Sequence, residues 1–528
     1  MANASVTEPQ KNQKYAVIER SDSEANLVGD VLPLWRKLCF AVGGAPYQVT
    51  STVIGFFLNI FLLEVALMQP RYVSIILFSG KAWDAITDPS IGVLVQKTNT
   101  RWGKMRPWIL FSAPLACTCY FLLFYIPWDI TTNDKGSNVV DASDSSKLGF
   151  YFAAYCLFQG FLTCLHVPYT AMTMYITTQQ KERDAITFIR MAFEASGVLL
   201  AVVVQGLFVG DTRCKGDEQH TNGTSLEVQK EAYFHSSMVV VSLYMLCCLT
   251  VFFGTKEKKG FIEENKEHTL GFFTGMKTVF TFKPYLWASL TFLFLTIAIQ
   301  IVQGNIALYC THALKEGEDF SKFVFVLLII SIVSMPLWHF VSQRFGKKNA
   351  YATGMVLFIP LLFAQLYLPS KSKIIYYFVN AIAGLCISVS FLLPWSVLPD
   401  VLDLYMLEKG LRHDALFYSF YVFFNKLASG VALAVSQLAL EFGGYISGEC
   451  QQPDSVGDTL RYLIAPGPVI LMLMALFCLY MYPIDEKKRI WIKEQITNKT
   501  IEVDNKSLRS VDVSQSYESF KPVTDTFM

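Results

Sequence analysis

The sequence predicts an all-α integral membrane protein with twelve transmembrane helices in two six-helix halves. Three observations lead there. Only 16% of the 528 residues are charged and 53% are hydrophobic, whereas a soluble domain carries about a quarter charged residues. The charges crowd into short polar stretches between apolar runs of roughly 20 residues or more, the length a helix needs to cross a bilayer. Every second polar stretch is also rich in Lys and Arg, as expected of loops held on the cytoplasmic side. The sequence has no phosphate-cradling glycine loop, zinc-binding helix motif or sizeable soluble segment, which argues against an enzyme or an ATP-driven pump. The net charge of +1 gives no hint of a nucleic-acid partner.

Residues 1–37 form a polar tail with no early apolar stretch, so no cleaved secretory signal is expected. Apolar runs then place spans at 38–68, 71–96, 107–128, 148–178, 186–210 and 233–254, the first half. A cytoplasmic linker over 255–283 follows. In it Phe272, Phe273, Met276, Val279 and Phe280 share one helical face, the pattern of a helix lying in the membrane interface. The second half runs from 284 to 482, with spans at 284–312, 321–343, 349–368, 373–399, 414–441 and 461–482. Residues 483–528, rich in Ser, Lys and Asp, read as a disordered cytoplasmic tail.

Orientation follows from the short loops. Lys97, Arg101, Lys104 and Arg106 follow span two; Arg344, Lys347 and Lys348 follow span eight. The loop after span three is acidic instead, with Asp129, Asp134, Asp141 and Asp144. Even-numbered loops and both termini are therefore expected inside. The sequon at Asn222 then falls outside as a glycosylation acceptor, while those at Asn3, Asn498 and Asn505 fall in the cytoplasmic termini. Of the twelve cysteines, Cys214 and Cys450 lie in polar loops facing the oxidising side. A disulfide between them would clip the halves together; two free thiols too far apart to bridge are the alternative.

The two halves echo each other. Arg101-Trp102-Gly103-Lys104 after span two recurs as Arg344-Phe345-Gly346-Lys347 after span eight. Parallel six-helix halves around a midplane site are the architecture of major facilitator transporters.

Charges inside the spans indicate what kind. Asp84 and Asp88 sit four residues apart in span two, about 6 Å along one helix face. Each would cost about 3 kcal/mol against lipid, so both must face the interior. Two carboxylates that close repel and call for a cation between them; hard oxygen ligands suit Na⁺ or H⁺. Thr87 adds a hydroxyl, and Lys81 is the local candidate to neutralise one aspartate. Span five contributes Arg190 and Glu194, one turn apart, and span eleven contributes Lys426. Arg190 and Lys426 are cationic donors for an anionic or zwitterionic substrate, or members of an internal ion-pair network, Arg190 with Glu194 and Lys426 with an aspartate of span two, and a coupling network is compatible with both roles. His166, before Pro168 in span four, reads either as a core residue or as part of the same site.

From about 38 to 482 the chain resembles the glycoside–pentoside–hexuronide:cation symporters of the major facilitator superfamily. The likeness rests on Trp83-Asp84-Ala85-Ile86-Thr87-Asp88-Pro89 and on His166-Val167-Pro168-Tyr169 followed by Lys181-Glu182-Arg183. It implies that Asp84 and Asp88 bind the coupling cation, with Thr163 helping, and that Arg190 and Lys426 match the family's charged residues in spans five and eleven. Sugar-transporting members place carboxylates in span one and at the start of the span-four motif; this chain has Tyr47-Gln48-Val49 and His166 there. Sugar is therefore not the expected substrate. Within the family the chain is similar to the lysophospholipid-carrying branch, which implies Na⁺-coupled import of lysophosphatidylcholine, docosahexaenoyl species included, from outer to inner leaflet. Export of sphingosine-1-phosphate is the alternative. The resemblance also implies a monomer in the plasma membrane, with some in the endoplasmic reticulum, and no cofactor beyond the coupling ion.

Overall fold

The computed structural model describes residues 32–132, 138–177, 180–209, 224–257, 277, 279–367, 373–409, 414–449, 451–496 and 498. Ten helices are long and apolar enough to cross a membrane. Two more rods bring the number to twelve. The first comprises α1 (Leu34–Ala41) and α2 (Ala45–Val53), joined by a 3₁₀ turn at Val42–Gly44 and extended by π-helical segments at Ile54–Leu58 and Phe61–Val65. The second is α3 (Pro70–Lys97), long enough to span but carrying Lys81, Asp84 and Asp88. The first half continues with α4 (Arg106–Leu123), α5 (Asp144–Ile176), α6 (Gln180–Val209) and α7 (Thr224–Gly254). The second half holds α8 (Lys283–Leu308), α9 (Phe320–Phe345), α10 (Lys347–Leu366), α11 (Lys373–Lys409), α12 (Asp414–Phe442), and a last rod made of α13 (Asp454–Ile464) and α14 (Pro466–Met481).

The all-α class holds, with one short antiparallel ribbon, Ile130–Thr132 against Asn138–Val140, after α4. Sequence and structure differ in two places. The last span starts earlier than its apolar run, because α13 is amphipathic and breaks from α14 at Ala465, before Pro466. The tail after Pro483 is not disordered from its start. A helix, α15, covers 486–496; Ile492 is buried beneath the second half, while Ile490 and Trp491 are half-exposed. Apolar residues four apart in a polar stretch are enough for a helix that docks on existing protein. The interfacial face expected around Phe272, Phe273 and Met276 lies outside the described residues.

The repeated tetrapeptides share a positive-φ glycine but not a turn: Thr100–Gly103 close a bridged turn ahead of α4, whereas Gly346 alone separates α9 from α10. Gly103 and Gly346 both take positive φ, 114° and 86°, which glycine adopts without cost. At the first turn the Glu257 carboxylate accepts the backbone N–H groups of Lys104 at 2.7 Å, Met105 at 2.9 Å and Arg106 at 2.9 Å. It thereby satisfies donors that the start of α4 would otherwise leave bare. Between α9 and α10, Glu486 lies against Gly346, and Lys347 donates to Asp400 at 2.7 Å.

Several bonds join one half to the other. In the middle, Lys426 of α12 reaches α3. Towards the end away from the termini, Asn59 donates to the Gly304 carbonyl at 2.7 Å and Ser447 to the Met68 carbonyl at 2.6 Å. Aromatic contact between Phe57 and Phe320 adds to them, with ring centres 5.5 Å apart. These contacts shut that end of the bundle.

Within the second half, α9 and α11 meet backbone to backbone. A Cβ on Gly384 would fall 2.4 Å from the Leu327 carbonyl oxygen. Trp338 donates to Leu385 at 2.7 Å and Ser334 pairs with Ser388 at 2.8 Å on the same seam. Gly384→Ala is expected to destabilise the protein by about 2 kcal/mol through overpacking, read as a lower melting temperature of the purified protein. Gly149→Ala, where a new Cβ meets nothing within 4 Å, is the matched control and should melt as the parent does.

Candidate functional site

The charged residues picked out in spans two and eleven converge, joined by a hydroxyl from span four. Because Asp84 and Asp88 are one turn apart on α3, both face α12, where Lys426 stands opposite. Its ammonium lies 2.9 Å from Asp84 Oδ1 and 2.5 Å from Asp88 Oδ2. The cation between the carboxylates is therefore this lysine and not Lys81, for which no ion pair with either aspartate is found among the described residues. Thr163 of α5 donates to the same Asp84 Oδ1 at 3.0 Å. Thr87 closes the ring, 3.3 Å from the Thr163 hydroxyl and 3.2 Å from the Asp84 backbone carbonyl. Hydrogen bonds thus tie three helices to one carboxylate oxygen.

The pair is not sealed. The Asp88 side chain is 21% exposed and that of Lys426 18%, against 9% for Asp84. Asp88 is thus the more accessible of the two carboxylates. The two buried carboxylates share a single ammonium, and in a poorly hydrated interior a further cation beside it would be repelled.

Beside this cluster, His166 stacks on Tyr47 with ring centres 3.8 Å apart and planes at 18°. Tyr47 is within electrostatic reach of Lys426, Asp84 and Asp88; His166 is within reach of Lys426, Asp84 and Arg190. The stack therefore bridges the central cluster and a second one on α6. There Arg190 pairs with Glu194 at 3.2 Å, and the guanidinium lies 6.0 Å from the Tyr169 ring centre. Gly44 in the first rod makes room, since a Cβ there would fall 2.6 Å from Glu194 Cγ. Sequence reasoning missed Tyr47 as a partner, although it noticed that this stretch of span one lacks a carboxylate. The loop residues Cys214, Cys450 and Asn222 lie outside the described residues.

Twelve spanning rods in two repeated halves, with a charged cluster buried where the halves meet, define a secondary transporter of the major facilitator type. Comparison with known proteins agrees: the profile of the family described as MFS/sugar transport protein matches residues 39–486, and the chain belongs to that family. It is 41% identical over 478 residues to the zebrafish (Danio rerio) protein named sodium-dependent lysophosphatidylcholine symporter 1-B, covering 87% of this chain and 88% of the relative. Against the Homo sapiens sodium-dependent lysophosphatidylcholine symporter 1 identity is 38%, covering 87% of each. A Xenopus tropicalis sphingosine-1-phosphate transporter, MFSD2B, is 37% identical, with 87% of this chain and 89% of the relative covered. Among solved structures, a bacterial homologue of the lysosomal transporter Spinster superposes with a TM-score of 0.58 at 13% identity, over 85% of this chain and 95% of that one. A D-xylose–proton symporter gives 0.57 at 11%, over 85% and 97%. At such identities these structures speak for the fold alone.

Removing the internal cation tests whether the aspartates take up an external one. Lys426→Met leaves two buried carboxylates uncompensated, a loss of about 3–5 kcal/mol. Melting temperature measured from zero to high Na⁺, with a large organic cation as replacement, should rise steeply in the variant and little in the parent. Equal, flat curves would remove the cation-site assignment.

Proposed function

We propose that this chain is a Na⁺-coupled symporter that imports lysophosphatidylcholine from the outer to the inner leaflet of the plasma membrane. The observation that carries the reading is Lys426 held between Asp84 and Asp88, in a chain whose relatives are named sodium-dependent lysophosphatidylcholine symporters. Na⁺ is the second tenant of the aspartate pair, with Thr87 and Thr163 supplying hydroxyl oxygens. Its arrival displaces the Lys426 ammonium, which is then free to pair with the headgroup phosphate together with Arg190. Glu194 takes the choline, and the neighbouring Tyr169 and Tyr47 rings offer it cation–π faces. His166 joins the two clusters. The acyl chain stays against apolar walls.

In this scheme the ion and the lipid compete for one lysine from opposite sides, which couples them without direct contact. Alternating access follows from rocking the halves about the midplane. Both termini lie in the cytoplasm, so the shut end is the outer one, and the protein works as a monomer. Coupling needs no other cofactor. The acidic groups that would grip sugar hydroxyls are missing at Tyr47 and His166, which sets this chain apart from the sugar-carrying members of its family.

Uptake of radiolabelled lysophosphatidylcholine into expressing cells, in Na⁺ and then in choline, tests the reading. Na⁺ should raise uptake severalfold, and Asp84→Asn and Asp88→Asn should each abolish that increment at normal surface expression. Uptake indifferent to Na⁺ would sink the coupling site, leaving a passive scramblase. Absence of lysophosphatidylcholine uptake together with release of preloaded sphingosine-1-phosphate would move the chain to the exporters, the function named for the 37% relative.

A further inference from the structure

Among the described residues only two non-glycine positions have positive φ, Leu67 at 52° and Lys315 at 58°. Such backbones are costly for side chains with a Cβ and persist where the surroundings enforce them. These two are equivalent. Each follows a π-helical segment, Phe61–Val65 at the end of the first rod and Tyr309–Ala313 at the end of the seventh. The bonding matches residue for residue: Ala66 N–H donates to the Phe61 carbonyl and Met68 N–H to that of Leu62, while Leu314 N–H donates to Tyr309 and Glu316 N–H to Cys310. All four distances lie between 2.9 and 3.0 Å. Single π-helical turns inside α-helices gather at functional sites.

The same alignment makes Glu64 the counterpart of His312, and these two touch. His312 Nε2 lies 2.7 Å from Glu64 Oε1 across 248 residues of sequence, with side chains only 2% and 9% exposed. Residues related by an internal two-fold lie equally far from its axis, so a pair in contact stands beside that axis. Tyr445, in the loop after α12, adds a long contact to the same oxygen at 3.5 Å and sets its ring edge against the imidazole, 5.8 Å between centres. The turn beyond Glu64 is pinned from both halves: Lys147 donates to the Leu67 carbonyl at 3.4 Å and Ser447 to that of Met68 at 2.6 Å.

We propose that Glu64 and His312 are positioning residues of the transport cycle, an outer latch made of the two equivalent strained helix ends meeting on the internal axis. Closed, the pair holds the first and seventh rods together while the central cluster faces inward. Opening separates two polar groups that water then solvates, so the latch is strong only while dry. The strained turns fix the register in which the ends meet, so that the two polar groups oppose each other and not apolar neighbours. This role rests on the transporter reading above, and on that end facing outward.

A test independent of the substrate uses thiol labelling on intact cells. Ala307→Cys, buried three residues beyond Gly304, is the reporter for a membrane-impermeant maleimide; an exposed Ser455→Cys checks sidedness. The reporter should label slowly in the parent and at least threefold faster with Glu64→His or His312→Glu alone. Exchanging both residues should bring the rate back to within twofold of the parent, because the two positions are equivalent; a merely structural loss would not be rescued. Single variants that label at the parent rate, or an exchange that labels as fast as the singles, would overturn the latch. Should the single variants fail to reach the surface, Glu64→Cys/His312→Cys joined by a short thiol cross-linker serves instead. Uptake should stop and return on reduction, and unchanged uptake in the cross-linked protein would refute the proposal. Failure of lysophosphatidylcholine uptake with normal labelling behaviour would count against the substrate and not the latch.

Discussion

One ammonium group holds this molecule in register. Lys426 lies between Asp84 and Asp88, and around that contact two halves are packed that share no other charged anchor at mid-depth among the described residues. Buried ion pairs add little net stability, because desolvation offsets most of the attraction. What they add is consequence: removing or displacing one partner leaves a charge that must find another. A protein whose halves must part and re-join gains from a contact that is costly to leave half-made. Thr163 and Thr87 extend the arrangement to α5, so a change of tenant at the aspartates is felt by three helices at once.

The fold was legible because a membrane imposes a coarse code. A span must be long and apolar, loops sort by charge, and a carboxylate within a span must face protein; each rule acts locally. Asp84, Asp88, Arg190 and Lys426 could therefore be found one at a time. Sequence offered two cations for the aspartates, Lys81 near at hand and Lys426 338 residues from Asp88, and had no local means to choose the distant one that the structure places there. The π-helical ends were hidden for a related reason. Glu64 and His312 do stand out as polar residues inside their spans, but nothing local marks the shift in the helical ladder around them, and only backbone bonding reveals it. Helix α15 escaped because its three isoleucines are diluted by charges, so composition outvoted periodicity.

Repetition is written at two depths. The tetrapeptides at Arg101 and Arg344 announce it in sequence, and the positive-φ glycines Gly103 and Gly346 carry it into structure. At the opposite end, Glu64 and His312 occupy equivalent places with unlike chemistry. Two copies of one carboxylate facing each other across an axis would repel; a carboxylate and an imidazole do not. Divergence at that one position turns a symmetric clash into a bond, while the surrounding backbone keeps the older symmetry.

The crossing of α3 with α12 has a mechanical side. Gly430, one turn from Lys426, lets the helices approach until a Cβ there would be 3.3 Å from the Phe78 carbonyl oxygen. A close approach of these two helices therefore sits beside the charged contact, like a fulcrum placed under the load. From Lys426 to Glu441 at the far end of α12 is about 22 Å, so tilting the helix by about 10° at the crossing sweeps its tip through about 4 Å. The lever arm is shortest at the charged contact and longest at the tip of α12. A small shift at one lysine would thereby be geared into a larger one at the end of the bundle.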